Sequence, residues 1–314
     1  MMFPYAIHVV DLPLNVIFRE VKTREIAIFE GPKGWSEFSP FLEYGVEESS
    51  IWLKAALEGA CDEAPKKIRE DIEINATIPH TSISEVKNIL DKFPGCKTVK
   101  IKIDNFRQDQ DLLLEVLSIV PEAKIRLDIN GKWGLTEAIS NLLDYEKDFG
   151  ANIDYIEQPC SDIDDLYELR KKINLKIAVD ESIRKHINND FSKLKEIADV
   201  AVIKWAPTGG IKSALEIIEK INLPVVVSSA LDSSIGISHG LALAQSVPNL
   251  YGPCGLGTAS FFKSDITTNP FVVFEGKLKN RKIEPDLLDQ FKAKPERQLW
   301  WQNRIEQIYR EGLI

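Results

Sequence analysis

Hydrophobic and polar residues alternate with a period of two along the first 30 residues, which predicts a small antiparallel meander. Three segments alternate in this way: 6–10, 16–21 and 24–29. The first two are separated by a proline-containing break at 11–13. A loop rich in glycine, proline and aromatic residues follows at 31–40, and segments 47–61 and 62–70 have a helical pattern. We therefore expect residues 1–70 to form an α+β unit.

From residue 71 onward, strand and helix patterns alternate regularly. Eight candidate strands end at Thr77, Lys102, Asp128, Glu157, Asp180, Lys204, Ser229 and Gly255. Successive ends lie 23 to 29 residues apart, which is the length that a strand, a crossover helix and two short loops need. Segments such as 177–179 and 224–227 are continuous apolar runs, typical of parallel strands buried on both faces. The pattern predicts an α/β fold with a modified (β/α)8-type barrel, (β/α)7β, over residues 71–258.

The C-terminal region returns to a helical pattern. A helix is expected at 296–309, and it carries Trp300 and Trp301. Because large aromatic side chains need a surface to cover, we expect this helix to pack on the N-terminal unit. Residues 1–70 and 259–314 would then form one α+β capping domain over the barrel.

Composition narrows the classes of function. The chain has 314 residues, of which 44% are hydrophobic and 28% are charged, as in globular proteins. Its net charge of -9 argues against a nucleic-acid partner, although a local site can still attract a small anionic substrate. Four scattered cysteines without a CxxC pair indicate reduced thiols. The N-terminus lacks a signal-peptide pattern and no apolar run is long enough for a membrane span, so we expect a cytoplasmic protein.

Charged residues stand at several of the predicted strand ends. Lys100 and Lys102 lie two apart in one strand, so their side chains share a face. Alone, such a pair is equally typical of an exposed edge strand that lysines protect from aggregation. Asp128, Glu157 and Asp180 close the next three strands. Each of these, taken singly, is more often a turn former or a helix N-cap.

Three carboxylates on consecutive strands indicate a shared site, because the ends of these strands converge at the mouth of the barrel. Converging carboxylates repel each other unless a cation neutralises them. An all-oxygen site suits a hard divalent ion, Mg²⁺ first and Mn²⁺ as the alternative. No histidine shares the register of these carboxylates, which argues against zinc. The predicted sixth strand places Lys204 opposite the lysine pair. A lysine beside another lysine and a metal has a lowered pKa, which suits removal of a proton next to a carboxylate.

In order along the chain, the motifs Lys-x-Lys, Leu-Asp-x-Asn, Ile-Glu-x-Pro, Asp-Glu-Ser and Ile-Lys resemble those of the enolase superfamily. The resemblance spans almost the whole chain and implies a capping domain over a modified barrel. It implies that the Mg²⁺ ligands are Asp128, Glu157 and Asp180. It also implies that Lys102 is the base, that Lys100 supports it, and that Lys204 faces them across the site.

Within the superfamily, the chain most resembles the o-succinylbenzoate synthase family, the dehydratases of menaquinone biosynthesis. The segments that carry this resemblance are 34–44 (GWSEFSPFLEY), 228–234 (SSALDSS) and 254–258 (CGLGT). It implies dehydration of 2-succinyl-6-hydroxy-2,4-cyclohexadiene-1-carboxylate to o-succinylbenzoate. Lys102 would remove the α-proton, and Mg²⁺ with Lys204 would stabilise the enediolate. Segment 34–44 would be a lid.

Four further residues are expected to contact the substrate. Ser229 and Gly255, at the ends of strands seven and eight, are our candidates for binding the succinyl carboxylate. Arg126 and Asn130 flank Asp128, and Asn130 shares its face. The alternative for Asn130 is a residue that only forms the turn.

Two other functions remain open at this point. N-succinylamino acid racemases and dipeptide epimerases use the same ligands, with both lysines exchanging protons. A silent barrel that acts as a binding protein is the non-enzymatic alternative. The sequence leaves the oligomeric state open.

Overall fold

The computed structural model describes residues 2–18, 21–185 and 191–313. The strands are β1 (His8–Phe18), β2 (Val21–Gly31), β3 (Gly34–Phe38), β4 (Asp71–Glu73), β5 (Ala76–Ile78), β6 (Thr98–Lys102), β7 (Lys124–Asp128), β8 (Ile153–Glu157), β9 (Ile177–Val179), β10 (Val200–Ile203), β11 (Val225–Val227) and β12 (Lys277–Lys279). The α-helices are α1 (Val46–Cys61), α2 (Val86–Leu90), α3 (Phe106–Ile119), α4 (Leu135–Phe149), α5 (Ile163–Arg170), α6 (Glu181–Lys185), α7 (Ser192–Ile197), α8 (Ile211–Ile221), α9 (Ser234–Ser246) and α10 (Pro295–Arg310). Within these described ranges, no helix combines the length and the apolar run needed to cross a bilayer.

The predicted barrel is confirmed. Strands β5 to β11 form one seven-stranded sheet in chain order, and every neighbouring pair is parallel. The eighth position is occupied by an extended segment rather than a full strand. Cys254 bridges to Ile74 beside β5, and Gly255 bridges to Ser228 beside β11, so this segment closes the curled sheet. The apolar runs of β9, β10 and β11 are fully buried, as parallel strands covered on both faces require.

The register of the sheet aligns the charged strand ends. Lys102 on β6 pairs with Asp128 on β7, which in turn pairs with Glu157 on β8. Strand β9 ends at Val179, so Asp180 directly follows it. Side chains that lie far apart in the sequence therefore stand side by side at one end of the barrel.

The N-terminal meander is confirmed, but its boundaries differ from the prediction. The first two predicted strands form the single strand β1, which runs through the predicted break at 11–13 with an irregular register after Pro13. Strand β1 lies at the edge of its sheet, where a proline is tolerated because its missing N–H faces no partner strand. The predicted loop at 31–40 contains the strand β3. Residues 31–34 make a tight turn that pairs β3 with β2, and Gly34 in this turn has a φ of 137°, which glycine adopts readily.

The predicted helix at 62–70 is wrong. Helix α1 ends at Cys61, and the following residues are neither helix nor strand. Pro65 lies in this segment, and a proline inside a helix removes a hydrogen bond and clashes with the preceding turn.

Helix α10 covers the N-terminal unit, as predicted. Trp301 is fully buried, its ring meets Phe38 edge-on at 5.7 Å, and its Nε1 donates a hydrogen bond of 2.7 Å to Glu25 Oε2. Arg304 of the same helix donates to Tyr44 O. The division of the chain into a capping domain and a barrel at 70/71 and 258/259 stays a prediction, and β12 pairs with β4 across it.

Two buried side chains join the N-terminal unit to the barrel mouth. On β3, Glu37 accepts hydrogen bonds from Ser39 Oγ (2.6 Å) and from the backbone N–H groups of Ser233 (3.0 Å) and Gly236 (3.1 Å), at the beginning of α9. A carboxyl group at this position accepts hydrogen bonds from N–H groups that have no partner within the helix. Burial and the nearby Asp232 raise the pKa of Glu37 to about 8, although the hydrogen bonds from Ser233 and Ser39 oppose this.

The second of these side chains is Arg24 on β2. Its guanidinium stacks on Phe41 at 4.2 Å and donates hydrogen bonds to Ser39 O and to Leu231 O, the latter at 3.4 Å. Leu231 belongs to the loop after β11 and has a φ of 63°. Arg24 therefore connects the segment that carries Phe41 to a loop at the mouth of the barrel.

We predict that Trp301→Ala lowers the free energy of unfolding by about 3–5 kcal/mol, because it removes a fully buried indole and leaves a cavity. Trp300→Ala is the matched control, since Trp300 is 36% exposed, and it should cost about 1 kcal/mol or less. Urea denaturation of both variants measures this. Equal losses would contradict the packing described for α10.

A second prediction concerns pH. Because the pKa of Glu37 is about 8 in the folded protein against an ordinary value of 4.5, the folded state binds more protons between these two values. The stability that this group contributes should be present below pH 4.5 and fall as the pH rises towards 8. The difference in unfolding free energy between wild type and Glu37→Gln should therefore shift against the wild type from pH 5 to pH 8. A difference that is independent of pH would contradict the assignment.

Candidate active site

A pocket lies at the C-terminal ends of the barrel strands. Seven of the residues that the sequence predicts for the site line it: Lys100, Lys102, Asp128, Asn130, Lys204, Ser229 and Gly255. The N-terminal unit contributes an aromatic wall of Phe41, Tyr44 and Trp52. Glu157 and Asp180 are almost fully buried beside it. The segment expected to be a lid thus supplies two residues of the wall, after β3 has ended.

The two lysines of β6 have different surroundings. Lys100 Nζ lies 2.7 Å from Glu157 Oε1 and 3.0 Å from Asp128 Oδ2. Lys102 Nζ lies 3.3 Å from the same Asp128 oxygen and donates a hydrogen bond to Asn130 Oδ1. Lys100 is therefore held between two carboxylates, whereas Lys102 lies nearer the open end of the strand.

The pKa values of the two lysines shift in opposite directions. Burial would lower the pKa of Lys100, but Asp128 and Glu157 outweigh it and raise that pKa well above its ordinary value. The pKa of Lys102 is lowered, mainly by burial and further by the positive charges of Lys100 and Lys204, against the opposing effect of Asp128. The pKa of Lys102 is therefore lowered more by burial than by the neighbouring lysine.

The carboxylates differ among themselves as well. Burial would raise the pKa of Asp128, but Lys100 and Lys102 hold it below its usual range. Burial and the charges of Asp128 and Asp180 raise the pKa of Glu157 to about 7, although Lys100 opposes them. Asp180 accepts a hydrogen bond from Lys204, which holds its pKa low against the effect of burial.

The same carboxylates fit a divalent cation by their chemistry. In the part of the chain that the structure describes, Asp128 Oδ1 and Glu157 Oε2 are buried and have no hydrogen-bond partner. A buried carboxylate oxygen without a hydrogen-bond partner destabilises the folded protein, and a bound cation would satisfy it. Among the described residues, no three carboxylate, histidine or cysteine side chains are arranged as the ligands of one metal ion. Instead, Lys100 and Lys102 form ion pairs with Asp128, Lys100 also pairs with Glu157, and Lys204 pairs with Asp180.

Asn130 lines the pocket and also forms the turn after β7, so both interpretations of this residue apply. Its φ of 55° is left-handed, a conformation that asparagine tolerates. Its Oδ1 accepts the hydrogen bond from Lys102, and its Nδ2 donates to Glu181 Oε1 at 3.1 Å. Asn130 therefore orients Lys102.

Ser229 and Gly255 line the pocket, but their polar groups bind each other. Ser229 Oγ lies 2.9 Å from Gly255 O and 2.7 Å from Thr258 Oγ1. The backbone N–H of Gly255 donates to Val227 O at 2.9 Å, which helps to close the barrel.

Arg126 does not reach the pocket. The register pairs it with Lys100 on one side and Tyr155 on the other, one layer below Asp128. Its fully buried guanidinium donates to Asp154 Oδ2 (2.8 Å) and to Pro253 O (2.6 Å). The two-residue period placed Arg126 on the correct face of the strand, but not at the correct depth. The structure thus does not support it as a substrate-binding residue.

Thr77 and Arg184 also line the pocket, but the sequence analysis did not include them among the site residues. Thr77 lies in β5 and closes the first barrel strand predicted from the sequence, so the rule that selected the other strand ends applies to it equally. Arg184 lies four residues after Asp180 on α6, so its side chain returns to the same face of the helix. Its Nε is 3.6 Å from Asp180 Oδ1. Both could have been found from spacing alone.

Models of two protein families match the chain. One, described as enolase N-terminal domain-like, matches residues 9–60, and the other, enolase C-terminal domain-like, matches residues 85–284. The o-succinylbenzoate synthase of Mycobacterium marinum is 40% identical over 309 residues, which are 96% of this chain and 93% of that protein. The o-succinylbenzoate synthase of Mycobacterium tuberculosis is 39% identical over the same shares.

Solved structures share the fold at lower identity. A muconate lactonizing enzyme from Pseudomonas putida superposes with a TM-score of 0.76 at 18% identity, over 93% of this chain and all of that one. The L-Ala-D/L-Glu epimerase from Bacillus subtilis superposes with a TM-score of 0.75 at 20% identity, over 89% of this chain and 96% of that one. These structures share the fold, and the family models and the mycobacterial relatives show that the chain belongs to the enolase superfamily, in the family of the o-succinylbenzoate synthases.

Proposed function

We propose that this protein is a lyase that dehydrates 2-succinyl-6-hydroxy-2,4-cyclohexadiene-1-carboxylate to o-succinylbenzoate, a step of menaquinone biosynthesis. The observation that carries the proposal is the unequal lysine pair. Lys102 has a lowered pKa and faces the pocket, while Lys100 beside it stays charged between Asp128 and Glu157. A base of lowered pKa beside a fixed positive charge suits abstraction of a proton next to a carboxylate. The names of the mycobacterial relatives support this choice of reaction.

Members of the superfamily typically bind a divalent metal, and we propose Mg²⁺ here. Asp128, Glu157 and Asp180 would hold it, supported by the two partnerless oxygens and by the preference of Mg²⁺ for carboxylates. When bound, the ion supplies positive charge that acidifies the α-proton and stabilises the negative charge of the enediolate. The ion pairs of Lys100 and Lys204 with these carboxylates would then have to loosen.

The chain's own residues would carry out the remaining steps. Neutral Lys102 takes the α-proton of the substrate and becomes an ammonium ion, held in place by Asn130. Lys204, four strands away around the barrel and therefore on the opposite side, remains cationic and stabilises the enediolate electrostatically. The C–O bond to the hydroxyl group then breaks, Lys102 returns its proton to the departing oxygen, and water is released. Aromatisation of the ring drives this elimination.

The aromatic wall would exclude water during the reaction. Phe41 is almost fully buried, and Arg24 and Glu37 bind the segment around it to loops of the barrel. A pocket closed in this way strengthens the electrostatic interactions inside it. The cytoplasmic location and the absence of a nucleic-acid partner stay predictions.

We predict that Lys102→Ala lowers kcat by about 10²–10⁴-fold, the usual contribution of a general base. Loss of ultraviolet absorbance of the cyclohexadiene substrate measures the rate. Lys132→Ala is the matched control, because Lys132 is half exposed, pairs with Asp104 and does not line the pocket. Its rate should equal that of the wild type. Full activity of Lys102→Ala would exclude this base, and no turnover by the wild type would favour a silent binding protein.

Lys204→Arg separates dehydration from racemisation. A dehydratase needs only a cation at this position, so the variant should retain measurable dehydration. An N-succinylamino acid racemase or dipeptide epimerase needs a proton donor and acceptor on each face, and arginine stays protonated. Rates with the cyclohexadiene substrate and with an N-succinylamino acid are compared. Racemisation by the wild type that exceeds dehydration, with both lost in Lys204→Arg, would favour the racemase.

A further inference from the structure

The dehydratase proposed above must bind a substrate with two carboxylates, one on the ring and one at the end of the succinyl chain. The residues expected to bind the succinyl carboxylate, Ser229 and Gly255, have no free hydrogen-bond donor directed at the pocket. The hydroxyl of Ser229 is shared between Gly255 O and Thr258 Oγ1, and the N–H of Gly255 is bonded to Val227 O. An anion needs donors, and these are already used within the barrel.

Among the described residues that line the pocket, four have basic side chains: Lys100, Lys102, Lys204 and Arg184. The three lysines each form a hydrogen bond to a carboxylate or an amide, and the proposed chemistry employs them. Arg184 differs, because its acidic neighbours are all too distant for good hydrogen bonds. They are Asp180 at 3.6 Å, Glu181 at 3.7 Å and Glu48 at 3.9 Å.

The guanidinium of Arg184 has donor capacity to spare. Its Nε is buried and has no hydrogen-bond partner in the described part of the chain, although the hydroxyl of Tyr44 contacts the side chain. The group is a planar fork that matches a carboxylate in a two-point contact, which a lysine cannot reproduce. Surrounding carboxylates keep it charged, so the site is both cationic and incompletely satisfied.

The pocket also has a suitable surface between the lysines and Arg184. Phe41, Tyr44 and Trp52 form the aromatic wall from the N-terminal unit, and Tyr44 touches Arg184. An apolar wall that ends at a guanidinium suits a short methylene chain that ends in a carboxylate. We infer that Arg184 is a specificity-determining residue that binds the carboxylate of the succinyl chain. This inference rests on the proposed function.

The test compares the dicarboxylate substrate with an analogue in which a butanoyl group replaces the succinyl group. In the wild type, removal of this carboxylate should lower kcat/KM by about 10- to 100-fold, as expected for a hydrogen bond between charged groups. Arg184→Met should lose a similar factor on the dicarboxylate, mostly through KM, and little further on the analogue. Arg184→Lys should recover part of the loss. Lys132→Met, the control for loss of one charge near the mouth, should behave like the wild type.

Two results would overturn the inference. If Arg184→Met loses the same factor on both substrates, the residue acts through its neighbour Asp180 and not on the succinyl carboxylate. If the wild type does not distinguish the substrates, the second carboxylate is not recognised at all.

A binding measurement separates this inference from the proposed function, because it needs no turnover. Calorimetric titration with 2-succinylbenzoate and 2-butanoylbenzoate should show a preference of the wild type for the former that Arg184→Met loses. If this preference is found but neither cyclohexadiene is dehydrated, the inference holds and the proposed reaction fails. If dehydration occurs without the preference, the reaction holds and the inference fails.

Discussion

The structure depends most on the buried ion pairs between the lysines of β6 and the carboxylates of β7 and β8. Charges removed from water are stable only when they are paired in good geometry. Lys100 meets this condition with two carboxylates, within 3.0 Å of each. The register of three strands must be correct for these contacts to form, because a shift by one residue would turn each side chain to the opposite face. The charged layer thus ties the parallel pairing of the sheet to the function of the site.

The same ion pairs explain why two neighbouring lysines differ. Lys100 is buried and pairs with both Asp128 and Glu157. The side chain of Lys102 is 11% exposed, pairs with one oxygen of Asp128 and donates to the neutral amide of Asn130. Burial therefore dominates at Lys102 and lowers its pKa, while pairing dominates at Lys100 and raises its pKa. Lys102, the proposed base, and Lys100, which supports it, are the same type of residue and differ only in their position along β6.

The barrel and most of the site could be predicted from the sequence because their signals are periodic. Strand ends recur at near-constant spacing, and polar residues at those ends stand out against apolar runs. Depth, hydrogen-bond occupancy and packing between distant segments leave no such signal. Arg126 shares the correct face but contacts Asp154 one layer lower, and Ser229 lies in the pocket with its hydroxyl already used. The long strand β1 was divided at Pro13, since only its edge position makes that proline acceptable.

We propose that the carboxylates that pair with lysines in this structure hold a divalent ion in the active enzyme. The most direct test follows the ultraviolet loss of the cyclohexadiene substrate while free Mg²⁺ is varied from zero, in EDTA, to saturation. We expect no turnover in EDTA, a saturable rise of the rate with Mg²⁺, and full recovery of the rate when the metal is restored. A full rate in EDTA would contradict the proposal.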